Sequence, residues 1–256
     1  MRLPRRLGHD DTAELVDHLG ELRARLIVVL IALAGGFAVG YGFHHQLIDW
    51  LNQALPAHRR KPVTFGVAEP FMTSLKVSLY AGFAIALPVI LWQIWSFLAP
   101  AVRKGVEKSV FGFVAFATLL FGAGIAFGHQ VALPAAVHFL TNYDSGIYDI
   151  QIRASSYYSF ALLSLLAVGI VFELPVFILG LVRFRILTAA KLRRNRRIGY
   201  VTMAALAVAL PGVDPVTTVF EMVPLMILFE GSIWLAVIFE RRWRPELHGA
   251  LSAAKT

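Results

Sequence analysis

The sequence predicts an all-α integral membrane protein with six transmembrane helices and both termini in the cytoplasm. Composition is the first observation: 57% of the 256 residues are hydrophobic and 16% are charged, against about 25% charged residues in soluble domains. The mean hydropathy is +0.66. A soluble globule of this composition would expose too much apolar surface, and a disordered chain would be polar and charged. The other two observations are six nearly uncharged stretches and an uneven distribution of Lys and Arg.

The six stretches are almost free of Asp, Glu, Lys and Arg, and a helix of about 20 such residues crosses the hydrocarbon core of a bilayer. In chain order they cover residues 26–50, 77–102, 109–143, 154–182, 198–213 and 215–239. The fifth is the shortest, with 16 residues. The turn residues Pro211 to Pro215 divide it from the sixth.

The distribution of basic residues predicts the orientation. Cytoplasmic loops of membrane proteins retain Lys and Arg. Of the 24 basic residues, 19 lie before the first stretch, between the second and third, between the fourth and fifth, or after the sixth. Six spans with both termini inside place all of these on one side, whereas an odd number would place the tail outside.

This arrangement divides the chain into three parts. Residues 1–25 form a cytoplasmic amphipathic segment, residues 26–239 the transmembrane domain, and residues 240–256 a basic cytoplasmic tail. In the first part, a helical wheel separates a leucine stripe from an acidic stripe that ends at Glu21. The acidic stripe has two interpretations: a solvated face with Glu21 paired to Arg25 at i,i+4, or a docking site for a cationic ligand.

Several acids lie in or near the predicted spans. Glu173 lies two residues before Pro175. Placing its carboxylate at membrane depth costs about 2.5–3.5 kcal/mol of insertion free energy, so its side chain should face protein, water or a partner. Glu230 and Glu221 lie in the sixth stretch, where no role follows for Glu221. Asp214 lies in the turn before that stretch.

Enzymatic and metal chemistry have no motif in this chain. It has no Cys, so a thiolate site is excluded. HExxH, GxSxG and GxxxxGK[ST] are absent from the sequence, and the eight His are scattered. We therefore expect no enzyme activity, no metal, no cofactor and no nucleic-acid partner.

Ordered motifs along the chain resemble one family. His18-Leu-Gly-Glu-Leu-Arg-Ala-Arg-Leu26 before the first span resembles the start of TatC, the polytopic core subunit of the twin-arginine protein translocase. Similar motifs follow in the same order: Glu69-Pro70-Phe71, the run from Pro88 to Pro100, Phe172-Glu173-Leu174-Pro175, Pro211 to Pro215, and Leu228-Phe229-Glu230.

The resemblance implies a function, a fold and a location. TatC proteins are receptors for signal peptides with paired arginines, and they export folded proteins with single-span TatA and TatB subunits, driven by the proton-motive force. The family's fold is a concave, glove-like six-helix bundle whose fifth and sixth helices are short. A multi-pass protein of the prokaryotic cytoplasmic (inner) membrane, part of a larger oligomeric complex, is expected.

The resemblance also implies site residues. Glu21 and Glu107, with Arg23 and His18, correspond to the signal-peptide site. Glu173, Asp214 and Glu230 are the expected intramembrane polar or partner contacts. The expected structural motif residues are Pro70, Phe71, Pro88, Pro100 and Pro175. Glu107 departs from the family's loop, because it lies seven residues beyond Pro100, one more than is common.

A second hypothesis is a proton-coupled small-molecule transporter that uses Glu173 and Glu230 as carriers. It predicts a pocket at the membrane midplane between structurally related halves. The two halves of this sequence are not visibly similar.

Overall fold

The computed structural model describes the backbone of residues 9–98, 107–148, 150–183, 186–211 and 215–253. Side chains are described for residues 20–97, 111–148, 150–183, 186–211 and 215–240. Within these ranges the chain is helical, and its one β pairing is an isolated bridge between Val63 and Arg153.

Ten α-helices carry the fold. They are α1 His9–Gly42, α2 His44–Asn52, α3 Glu69–Leu98, α4 Glu107–Phe127, α5 Leu133–Asn142, α6 Ala154–Phe172, α7 Leu174–Arg183, α8 Ala189–Arg194, α9 Arg196–Ala209 and α10 Pro215–Ala253. A 3₁₀ turn covers Ala57–Arg59, and a π turn at Gly128–Ala132 joins α4 to α5.

Within the described ranges, five helical segments are long and apolar enough to cross a membrane. They are Gly20–Gly42, Glu69–Phe97, Phe111–Asn142, Ala154–Arg183 and Pro215–Glu240. The all-helical membrane fold predicted from composition is therefore confirmed. The predicted fifth span is α9, which has 14 residues and so a length of about 21 Å, against a core of about 30 Å.

Two helices differ from the expected lengths. The prediction of a short sixth helix is wrong, because α10 has 39 residues and its apolar segment alone has 26. Glu, Arg and Leu after Phe239 are good helix formers, so the helix continues past its apolar part. Similarly, α1 has 34 residues and joins the N-terminal segment and the first span in one helix.

The first span is held to α3 by close backbone contact. A Cβ added at Gly36 would overlap the carbonyl oxygen of Gly82, and one at Gly40 would lie 2.7 Å from the carbonyl oxygen of Ser78. Gly124 in α4 lies against Gly169 of α6 in the same way. Gly36 and Gly40, and likewise Gly124 and Gly128, are spaced as GxxxG, and these two patterns serve packing within the chain, as small residues do between membrane helices.

This contact predicts different outcomes for two neighbouring glycines. Gly36→Val is expected to lower the free energy of unfolding by about 1–3 kcal/mol, because the added atoms meet the α3 backbone. Gly35→Val is the matched control, because nothing lies within 4 Å of a Cβ there. Unfolding of both variants in detergent measures the difference, and equal losses would contradict the packing.

The helices pack around two main groups of buried residues. One, at the end of the bundle where α2 lies, includes Leu51, Leu133 and Leu165. The other, between α6, α9 and α10, includes Met203 and Phe229.

The end of α9 lies inside the bundle rather than at the end where α6 begins. The Ser164 hydroxyl donates a hydrogen bond of 2.9 Å to the carbonyl oxygen of Pro211, which follows α9. Ser164 is ten residues after Ala154, the first residue of α6, so Pro211 lies about 15 Å inward from the start of α6. The contact between Ser164 and Pro211 thus fixes the point at which α9 ends.

Candidate functional site

The middle of α1, the last turns of α3 and the first turns of α4 come together at one end of the bundle. The Arg25 guanidinium of α1 donates a 3.1 Å hydrogen bond to the Gln93 side-chain oxygen of α3. Near Gln93, Trp92 contacts Phe111 of α4, with ring centroids 6.5 Å apart. We call this end, which also contains the last turn of α7 and the first turn of α9, the inner end.

Glu21 lies on α1 at the inner end and is paired within its own helix. The Arg25 Nε donates a 2.9 Å hydrogen bond to Glu21 Oε1, and its Nη2 donates to the same oxygen. The Glu21 side chain is nevertheless 39% exposed. The i,i+4 pairing considered from sequence is therefore present, and the carboxylate remains reachable from solvent.

The other residues of the predicted peptide site are described to different extents. Arg23 is exposed on α1. Glu107 is the first residue of α4, one helical turn before Phe111, but its side chain lies outside the described residues. The same is true of the His18 side chain on α1, while Pro100 lies outside the described backbone.

Glu173 interrupts the fourth span. The helix α6 ends at Phe172 and α7 begins at Leu174, because Pro175 has no N–H to donate to the carbonyl group four residues earlier. The Glu173 carboxylate is half-buried, and its Oε1 is buried without a hydrogen-bond partner among the described residues. Such an oxygen is costly to bury unless a ligand, a proton or a partner satisfies it.

Glu230 lies at the other side of the inner end and is fully engaged. The Tyr200 hydroxyl of α9 donates to Glu230 Oε1, and Arg196 Nη2 lies 3.2 Å from its Oε2. Sequence reasoning missed both partners, because they lie about 30 residues away along the chain. The pairing ties α9 to α10 rather than leaving Glu230 free to carry protons.

The structure describes one of the two remaining acids. Asp214 lies outside the described residues. Glu221 is 2% exposed and lies in α10 among Phe127, Phe172 and Leu225. It is engaged by another group, while its Oε2 is buried and accepts no hydrogen bond among the described residues.

The comparisons with known proteins decide the family. The profile of the family described as Sec-independent protein translocase protein (TatC) matches residues 17–224. The TatC protein of Carboxydothermus hydrogenoformans is 36% identical over 228 residues, covering 89% of this chain and 94% of its own length. The chain belongs to the TatC family.

More distant relatives and solved structures agree. TatCd of Bacillus subtilis is 31% identical, covering 92% of this chain and 97% of its own length. The chloroplastic TATC of Pisum sativum is 30% identical, covering 92% of this chain and 67% of its own. A crystal structure of the twin-arginine translocase receptor TatC superimposes with a TM-score of 0.75 at 30% identity, covering 86% of this chain and 99% of that one.

Family membership confirms the resemblance found in the motifs. This TatC protein is a multi-pass protein of the cytoplasmic (inner) membrane, and its family is one of protein translocase subunits. The small-molecule transporter hypothesis finds no support among these relatives.

Of the TatC-motif prolines named above, Pro70 and Pro175 lie at helix starts and Pro88 lies within a continuous helix. Pro70 is the second residue of α3, where its missing N–H costs nothing, and both Pro70 and Phe71 are exposed. Pro88 lies inside α3. Pro175 is buried at the start of α7.

Glu69, which precedes Pro70, has a structural role that sequence reasoning missed. Its carboxylate accepts hydrogen bonds from the backbone N–H groups of Phe65, Gly66 and Ser155. It also accepts two from the Arg153 guanidinium, of 3.0 and 3.3 Å. One buried acid thereby joins the loop before α3 to the loop before α6, at the end of the bundle opposite Glu21. An acid in the first turn of a helix was the available signal.

Proposed function

We propose that this TatC protein is the receptor for signal peptides with paired arginines and the core translocon subunit that exports folded proteins, driven by the proton-motive force. Its family supports the translocase activity. The observation that carries the receptor assignment is Glu21: a partly exposed carboxylate at the inner end that already binds a guanidinium, that of Arg25.

Arg25 would act as a placeholder for the arginine of the signal peptide. A guanidinium matches a carboxylate through two parallel N–H donors, whereas an ammonium group is a point charge. When the peptide binds, its arginine replaces Arg25 on Glu21, so the Glu21 carboxylate is hydrogen-bonded to a guanidinium before and after binding. The released Arg25 keeps its 3.1 Å hydrogen bond to Gln93.

Glu107 would bind the second arginine. It begins α4, whose residues Phe111 and Phe113 contact the tryptophans that flank Gln93. Two acids on separate helices can read the spacing of two arginines, which one acid cannot. Arg23 and His18, on the same helix as Glu21, would line the approach.

The proposed topology has six spans with both termini in the cytoplasm and the concave, glove-like arrangement of the family. In this topology α9 is the fifth span, although it is shorter than the bilayer core. Residues 1–25 and 240–256 would then be cytoplasmic segments on either side of the domain of residues 26–239.

TatA-like and TatB-like single-span subunits would dock within the membrane in a larger complex. Glu173 is the strongest candidate contact, because a polar side chain of a partner helix would satisfy its buried Oε1. Asp214 is a further candidate, and Glu230 is another, which would exchange Tyr200 or Arg196 for a side chain of the partner. The proposed role is binding and transport and involves no enzyme chemistry.

Export measured in cells tests this function. We would express the chain with TatA and TatB in a strain that lacks its own TatC and follow a folded cargo. Export is expected for a paired-Arg signal peptide and is expected to be lost when both arginines are replaced by Lys. Export that is equal for the two cargoes, or that persists after the proton-motive force is collapsed, would contradict the proposal.

A further inference from the structure

A strongly basic surface at the inner end takes no part in the proposed peptide site. It is formed by α8 and the first turn of α9, and its exposed cations are Lys191, Arg193, Arg194 and Arg197. We call these four residues the basic shelf. Among the residues that the structure describes, none of the four side chains makes a hydrogen bond or an ion pair.

The two acids that the structure describes near the basic shelf, Glu230 and Glu240, bind other groups. Glu230 binds Arg196 and Tyr200. Glu240 Oε2 accepts a 2.8 Å hydrogen bond from the backbone N–H of Ala189. Both acids lie toward α9 and α10, so the four cations face outward.

The basic shelf lies level with the ends of the membrane-spanning segments. One segment ends at Arg183 and another at Glu240, and Glu240 is bonded to the first residue of α8. Lipid phosphates lie at the depth where apolar spans end. The six-residue helix α8, about 9 Å long, therefore begins at headgroup depth and carries Lys191, Arg193 and Arg194, while Arg197 follows at the start of α9.

Apolar side chains next to the basic shelf indicate a lipid rather than a soluble anion. Ile186, Ile198 and Val201 are 62%, 65% and 69% exposed. Because α9 is the proposed fifth span, Ile198 and Val201 face acyl chains, so the phosphates closest to the basic shelf are those of lipids. A phospholipid covers them with its acyl chains while its phosphate meets the guanidinium groups.

We propose that the basic shelf binds the phosphate of anionic phospholipids in the inner leaflet. Arg193 and Arg194 are adjacent and present forks suited to phosphate oxygens. Bound lipid would stabilise the connection between α8 and α9, next to the first turn of α9. This site is independent of the arginine-binding role of Glu21.

Lipid titration tests the site. We would titrate the full-length protein in detergent with phosphatidylglycerol or phosphatidylcholine and measure bound lipid by native mass spectrometry. Phosphatidylglycerol is expected to bind tighter than phosphatidylcholine. Arg193→Gln/Arg194→Gln is expected to weaken phosphatidylglycerol binding by about ten- to thirtyfold, since each cation near a lipid surface contributes about fivefold.

The control removes the same charge elsewhere. Arg60→Gln/Lys61→Gln, at the opposite end of the bundle, should leave phosphatidylglycerol binding unchanged. Lys191→Gln/Arg197→Gln provides a second test if the first variant does not fold. Equal weakening by the control, unchanged binding in both shelf variants, or full competition by inorganic phosphate would overturn the proposal.

Discussion

Glu21→Gln is expected to weaken binding of a paired-arginine peptide by about 1.5–3 kcal/mol, or roughly ten- to one-hundred-and-fiftyfold. The amide of Gln keeps the shape of the side chain but removes the charge that strengthens the guanidinium contact. Because the Glu21 side chain is 39% exposed, solvent screening favours the lower part of this range. Fluorescence anisotropy of a labelled signal peptide with the purified protein measures the loss.

Two further variants separate peptide recognition from general charge. Asp49→Asn removes one acid from α2, at the opposite end of the bundle, and should not change peptide binding. Arg25→Gln removes the guanidinium that occupies Glu21, so peptide affinity should stay equal or increase. Unchanged affinity in Glu21→Gln, or a loss in Arg25→Gln as large as that in Glu21→Gln, would refute the placeholder role of Arg25.

Lengthening α9 is expected to abolish export. As the proposed fifth span, α9 with its 14 residues is about 9 Å shorter than a bilayer core of about 30 Å, and we expect the lipid next to it to thin. Four Leu inserted after Ala209 would add about 6 Å to the helix. The insertion would move Pro211 away from Ser164 and break the 2.9 Å hydrogen bond that the Ser164 hydroxyl donates to the Pro211 carbonyl oxygen. Export of a paired-Arg cargo in the strain lacking its own TatC measures the effect.

The matched control adds the same number of residues without lengthening the helix. Gly-Ser-Gly-Ser inserted after Pro211 leaves α9 and its contact with Ser164 in place, so most export should remain. Export that survives the four-Leu insertion would show that the shortness of α9 is dispensable.

Local features of this chain could be predicted from sequence, and the structure agrees with them. The Glu21–Arg25 pair follows from i,i+4 spacing, and the break at Glu173 follows from Pro175. The five long helical segments that the structure describes are each predicted by the length of an apolar stretch. These features depend on residues close together along the chain, where helix geometry fixes the distances.

Contacts between distant segments could not be predicted in this way. The contact of Arg25 with Gln93 spans 68 residues and that of Arg153 with Glu69 spans 84. Tyr200 contacts Glu230 because α9 and α10 pack side by side. The hydrophobic periodicity of the sequence does not predict which residues of the two helices lie opposite each other. The prediction of a short sixth helix was wrong for α10. Hydropathy indicates where the apolar segment ends, whereas helix propensity determines how far the helix continues beyond it.

Disulfide crosslinking tests most directly the claim that acids at the inner end bind the arginine pair. The chain has no Cys, so a single Cys can be placed without altering other residues. Leu22→Cys puts an exposed thiol beside Glu21, and Phe65→Cys puts one at the opposite end of the bundle. A signal peptide with one Cys next to its arginines is expected to form a disulfide at position 22, much less with paired Lys, and none at position 65. Equal disulfide formation with paired Arg and paired Lys, or preferential formation at position 65, would contradict the account.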